Sequence, residues 1–128
     1  MKYYLLPINL IFTWTLSGCS GSNDALELEL EPKDRISSKR LLNQIHLATL
    51  RFKDTKGKLP ETIDDLLNHK DATFKGWYEL DFNRLTKNGH TITFSYSPTS
   101  LNTSDVLCNI NVNGVLAFEI SGNGNLIE

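Results

Sequence analysis

Val106-Leu107-Cys108-Asn109-Ile110-Asn111-Val112-Asn113-Gly114-Val115-Leu116-Ala117-Phe118-Glu119-Ile120 is the stretch on which the fold turns. Apolar and polar residues alternate on both sides of Asn113-Gly114, and an Asn-Gly pair between two alternating runs marks a β-hairpin. Loop length decides which residues share a face, because one residue of slip exchanges the two faces of a strand. A two-residue loop would set Cys108 opposite Glu119 and Ile110 opposite Ala117. A three-residue loop with Gly114 left-handed pairs Ile110 with Leu116, Cys108 with Phe118 and Val106 with Ile120, which gathers the large apolar residues. The three-residue loop is therefore expected.

The same argument applies upstream at Lys87-Asn88-Gly89. A three-residue loop there sets Phe82 opposite Phe94 and Leu80 opposite Tyr96, with Arg84 beside Ile92. Together the two hairpins predict a four-stranded antiparallel sheet whose inner face carries Leu80, Phe82, Ile92, Phe94, Tyr96, Val106, Cys108, Ile110, Leu116, Phe118 and Ile120. Its outer face is polar, with Glu79, Asp81, Thr93, Ser95, Asn109 and Glu119, apart from Trp77, Leu107, Val115 and Ala117. An exposed tryptophan is an interface anchor, so Trp77 is the candidate partner-binding residue; the alternative is that a loop or the Leu26–Leu30 segment covers it. Gly122-Asn123-Gly124-Asn125 marks one further turn.

Before the sheet the period is helical. From Ile36 to Lys56, Leu41, Leu42, Ile45, Ala48 and Phe52 fall on one face. Ser37 or Ser38 is placed to cap the start; Gly57 and Pro60 stop the helix, and Lys53 and Lys56 suit its carbonyl end. Leu47 and Leu50 lie off this stripe and leave apolar surface in need of a second contact. A short second helix starts at Thr62, with Asp65 completing a capping box and Ile63, Leu66 and Leu67 facing inward. The prediction is α+β: one long N-terminal helix packed on a four-stranded antiparallel sheet, forming a single domain over residues 35–128. Residues 19–34 form a tether. Within it Ser20–Asp24 is small and polar, and Ala25–Glu31 alternates three leucines with three glutamates, as a stalk or an edge strand.

Leu16-Ser17-Gly18-Cys19 resembles the lipobox of bacterial lipoproteins. Lys2 supplies the positive start, and Tyr3–Leu16 form an apolar run too short to span a bilayer. The resemblance implies a cleaved signal over residues 1–18, a diacylglycerol on the Cys19 sulfur, acylation of its amine, and anchorage to a membrane by that lipid. With Ser20 after the cysteine, it also implies the periplasmic face of the outer membrane in a Gram-negative envelope. Cys108 then has no partner in the chain, and its place in an alternating strand points to burial as a small apolar residue.

Phe52, Gly57, Leu59-Pro60, Thr62-Ile63 and Leu66 are spaced as in type II secretion pseudopilins and related pilin-like subunits, which residues 41–67 resemble. There an aromatic residue ends the long helix, a glycine turns the chain and a proline precedes a capped short helix. The resemblance implies a pilin-like globular fold. The prepilin leader and the hydrophobic filament helix are replaced here by the lipobox and Ser20–Asp24, so polymerisation through that helix is not implied. Acidic calcium ligands are also missing near Gly122–Asn125.

Composition limits the chemistry. Fifteen acidic against 13 basic residues give a formal net charge of −2, which does not suit a nucleic-acid binder. Lys33, Arg35, Lys39, Arg40, Arg51, Lys53, Lys56 and Lys58 cluster in sequence, but the helical wheel scatters them into a solvated flank. His46, His69 and His90 show no ligand spacing, and no nucleophile elbow, phosphate loop or Cys-x-x-Cys is present. The expectation is a non-enzyme with no metal, cofactor or small-molecule substrate: a lipid-anchored envelope protein whose domain binds an unknown protein partner, as an accessory of a secretion or pilus-type machine. The alternative is a small binding module that captures a protein ligand, of the lysozyme-inhibitor or toxin-immunity type.

Overall fold

The computed structural model describes residues 30–127, and over them the chain is an α+β fold in which an N-terminal helix packs on a four-stranded antiparallel sheet. Helix α1 spans Pro32–Lys56, α2 Ile63–Asn68 and α3 Ala72–Lys87; strands β1 to β4 span Ile92–Tyr96, Val106–Val112, Val115–Ser121 and Leu126–Ile127, in sheet order β1-β2-β3-β4. The expected signal over residues 1–18, Cys19 and the tether up to residue 29 lie outside the described residues.

Helix α1 buries the expected stripe of Leu41, Leu42, Ile45, Ala48 and Phe52. Each fully buried leucine or isoleucine contributes about 1.5–3 kcal/mol of transfer free energy. Gly57 ends the helix in the left-handed region (φ 72), its N–H bonded to the Lys53 carbonyl at 2.8 Å. The start is earlier than the expected Ile36. Pro32 occupies the first turn, where its missing N–H is no loss. Residues 32–34, expected in the tether, are thus helical. Ser37 and Ser38 cap nothing; they are buried inside α1, and Ser38 Oγ donates to the Asp34 carbonyl at 2.9 Å. Leu50 reaches the edge of the core, whereas Leu47 stays 42% exposed. Helix α2 forms with the predicted Thr62–Asp65 capping box and buries Leu66.

The upstream hairpin does not exist. Residues 77–85, expected as a strand, belong to α3, capped by Asp71, whose side chain accepts the Phe74 N–H at 3.1 Å. Phe74, Tyr78, Asp81 and Leu85 follow the helical spacing, and the strand-like alternation of Trp77–Phe82 hid it. Lys87-Asn88-Gly89 is the helix end. Gly89 is left-handed (φ 88), its N–H bonds the Thr86 carbonyl and the His90 N–H bonds the Leu85 carbonyl, which is a Schellman closure. Leu80, predicted in the core, is 49% exposed, and Asp81, predicted on the surface, is fully buried.

In the downstream hairpin the loop has two residues, not three. Val112 pairs with Val115, and Asn113 (φ 56) and Gly114 (φ 82) are both left-handed, as a type I′ turn requires. A register shift after Asn111↔Leu116 makes Ala117 the extra residue, so that Ile110 faces Phe118 and Cys108 faces Ile120. This bulge lets a two-residue turn coexist with an apolar inner face, and it leaves Leu116 50% exposed instead of in the core. Leu107 on the other face is nonetheless buried, where the 3-10 turn Pro98–Ser100 and Leu101 lie near β2. The fourth strand is Leu126–Ile127, not a segment before β1, and the Gly122–Asn125 turn leads into it.

Candidate functional site

Helices α1 and α3 pack side by side and antiparallel, as three cross-links show: Asp34 to Asn88, Arg40 to Asp81 and Arg51 to Asp71. Trp77 stands on their solvent face, 37% exposed. The Arg40 guanidinium lies 4.6 Å from the centre of its ring. Arg40 is itself held by Asp81: Nε donates to Oδ2 at 2.8 Å and Nη2 to Oδ1 at 2.6 Å, and the carboxylate is fully buried. These hydrogen bonds, and secondarily the charge of Asp81, raise the Arg40 pKa despite the opposing effect of burial. A bidentate fork fixes the plane of the guanidinium, and the guanidinium in turn fixes the ring. Ile36, one turn before Arg40, is 56% exposed, and Leu80, one turn after Trp77, is 49% exposed. A rigid tryptophan beside an arginine, bordered by aliphatic side chains, is the composition of an interface hot spot.

At the other end of the helix pair, Arg51 Nε donates to Asp71 Oδ2 at 2.7 Å. Burial pushes the Asp71 carboxyl up, but the hydrogen bonds from Arg51 and the Phe74 N–H, with the charges of Arg51 and His69, outweigh it and hold the group below its ordinary value.

A third cluster joins α1, the end of α3 and the β2–β3 turn. The buried Asp34 carboxylate accepts from Asn88 Nδ2 at 2.8 Å and lies 3.0 Å from His90 Nε2. Asn113 Oδ1 accepts the Thr91 N–H, so Asn113 Nδ2 donates to His90 Nδ1 at 3.1 Å and the imidazole proton sits on Nε2, facing Asp34. Both ring nitrogens are engaged, and this arrangement clamps three elements together. Nothing in the sequence spacing of Asp34, Asn88, His90 and Asn113 announces it.

The remaining predicted residues scatter. Arg35 and Lys39 lie over the Phe118 ring at 5.3 and 5.4 Å, away from Arg40 and Arg51, so the basic run forms no single patch. Cys108 is buried in the sheet, and burial pushes its thiol up to about 12. His46 lies 3.2 Å from the Gly122 carbonyl. Among the described residues no group of three or more His, Cys, Asp or Glu side chains is placed to hold a metal ion, and no helix is long and apolar enough to cross a membrane. No family model, curated protein or solved structure matches the chain.

Proposed function

We propose that this chain is a lipid-anchored cell-envelope protein, held to the membrane through Cys19, whose domain acts by protein contact instead of catalysis. The anchor rests on the Leu16–Cys19 lipobox. The observation that carries the contact role is Trp77, partly exposed and pre-oriented by the Arg40–Asp81 fork. Pre-organisation removes part of the ordering cost of binding, so such a residue favours association more than a free tryptophan does. A pilin-like accessory of a secretion or pilus-type machine is the reading supported by the Phe52–Leu66 spacing. Capture of a basic protein ligand is a second reading, favoured by Glu61 and Asp64 beside an aromatic groove at the sheet edge.

Two variants test the proposal. Cys19→Ser moves the protein from the membrane fraction to the soluble fraction, and Trp77→Ala leaves it membrane-bound and folded but abolishes co-purification of its envelope partner. Retention of Cys19→Ser on the membrane, or unchanged co-purification by Trp77→Ala, overturns it.

A further inference from the structure

Strand β1 is an edge of the sheet, and among the described residues no strand pairs with its outer side. The hydrogen bonds at its two ends identify which groups look outward. The Thr91 carbonyl accepts the Asn113 N–H at 2.8 Å, and the Ser97 N–H donates to the Leu107 carbonyl at 2.7 Å. In an antiparallel ladder the residues bonded to the partner recur at every second position, so Thr93 and Ser95 continue that set. The N–H and C=O groups of Ile92, Phe94 and Tyr96 therefore point away from β2, toward the free edge.

The side chains of the same three residues line a groove of about 480 Å³. Its opposite wall is Tyr78 and Phe82 of α3, stacked 5.4 Å apart at 11°, with Tyr78 6.2 Å from Phe94. Glu61 and Asp64, both exposed at the start of α2, form its rim. Burial and then the charge of Asp64 raise the Tyr78 hydroxyl pKa, which places that carboxylate's field at the groove. A row of outward backbone groups beside apolar pockets at alternate positions is the geometry of strand addition, in which main-chain bonds give affinity and pockets give specificity.

Charge selects the occupant. Glu31 is fixed as the N-cap of α1, and the rest of the chain's own Ala25–Glu31 would bring Glu27 and Glu29 against a negative rim; a second copy paired edge to edge would bring its own Glu61 and Asp64. An added strand that turns Lys or Arg toward the groove lays their stems on the faces of Tyr78 and Phe82 and their charges beside Glu61 and Asp64, while its alternate apolar residues face the other side of the sheet. We propose that β1 accepts, as a fifth strand, an extended segment of a partner protein that alternates apolar residues with Lys or Arg. The proposal rests on the reading that the domain acts by protein contact, but it uses a surface separate from Trp77.

The test is hydrogen exchange on the full mature lipidated chain in neutral detergent, with a capped heptapeptide alternating Lys and Val as the probe and its Glu-Val counterpart as the control. The amides of Ile92, Phe94 and Tyr96 exchange rapidly in the free protein and slow by about tenfold or more with the Lys-Val peptide alone, a change of about 1.4 kcal/mol. Glu61→Lys combined with Asp64→Lys removes that protection while circular dichroism stays unchanged. Equal protection by both peptides, or by neither, overturns the proposal. So does protection in the free chain that Leu26→Asp with Leu28→Asp releases, which assigns the edge to the chain's own segment, and protection that grows with protein concentration, which assigns it to a second copy. Each of these failures leaves the Trp77 and Cys19 tests untouched.

Discussion

Arg40 and Asp81 lie 41 residues apart in sequence and meet through two hydrogen bonds of 2.8 and 2.6 Å, with the carboxylate wholly out of water. Removing one partner of such a pair leaves an uncompensated buried charge. Arg40→Ala should cost about 3 kcal/mol, near the lower end of that range because Arg40 is partly solvated. Asp81→Leu with Arg40→Met should cost less than Arg40→Ala alone. Urea unfolding of the two variants checks the order, and a double variant no more stable than Arg40→Ala would contradict it.

Cys108 should resist a bulky thiol reagent in the native state and react only on unfolding, because it is fully buried opposite Ile120. Cys108→Ala should cost about 1 kcal/mol at neutral pH. Burial raises its folded pKa from 9.0 to about 12. The stabilising effect of the neutral buried thiol is full below pH 9 and is lost as pH rises through the folded value, at a limiting slope of about 1.4 kcal/mol per pH unit. The stabilities of wild type and Cys108→Ala should therefore converge above pH 9. Curves that stay parallel, or rapid native labelling, would count against this burial.

Two glycines should respond with opposite sign. At Gly122 an added Cβ would fall 1.6 Å from the Ser100 carbonyl oxygen, a backbone atom that cannot step aside alone. Gly122→Ala should lower the melting temperature sharply by displacing the 3-10 turn. At Gly76, inside α3, an added Cβ meets nothing within 4 Å, so Gly76→Ala should stabilise by about 0.5–1 kcal/mol through helix propensity. Thermal melts of both variants are sufficient.

Asp71 caps α3 and receives Arg51, and its folded carboxyl titrates below its ordinary value of 3.8. Its contribution is present above the unfolded pKa and is lost as pH falls through the folded one. Asp71→Asn should be less stable than wild type at neutral pH and lose less further stability below pH 3.8, as acid unfolding followed by circular dichroism would show. Equal acid sensitivity would contradict the assignment.

What the sequence made legible was the part governed by a single period. The inner stripe of α1, its Gly57 stop and the Thr62–Asp65 box follow from 3.6-residue spacing and capping chemistry. The alternation around Cys108 also located the β2–β3 core, although the bulge at Ala117 changed the partners. Residues 77–82 satisfy both a period of two and a helical stripe, and the charge of Asp81 sat at an inward position. Only a partner 41 residues away, Arg40, makes burial there tolerable, and no local pattern reports that. Asn88-Gly89 was misleading for a related reason: a left-handed glycine serves a helix end as well as a hairpin. Trp77 sits on a helix instead of the expected sheet, and its arginine neighbour was not visible from sequence.

In-cell photo-cross-linking from position 77 tests the central claim most directly. With benzoyl-phenylalanine replacing Trp77 in the otherwise native chain, irradiation should give one discrete adduct with another envelope protein, recovered in the membrane fraction. The same probe at Thr55, exposed near the end of α1, should not form it, and Cys19→Ser should reduce it strongly. No adduct beyond that seen from Thr55, or an undiminished adduct with Cys19→Ser, would contradict a membrane-anchored contact role for the Trp77 face.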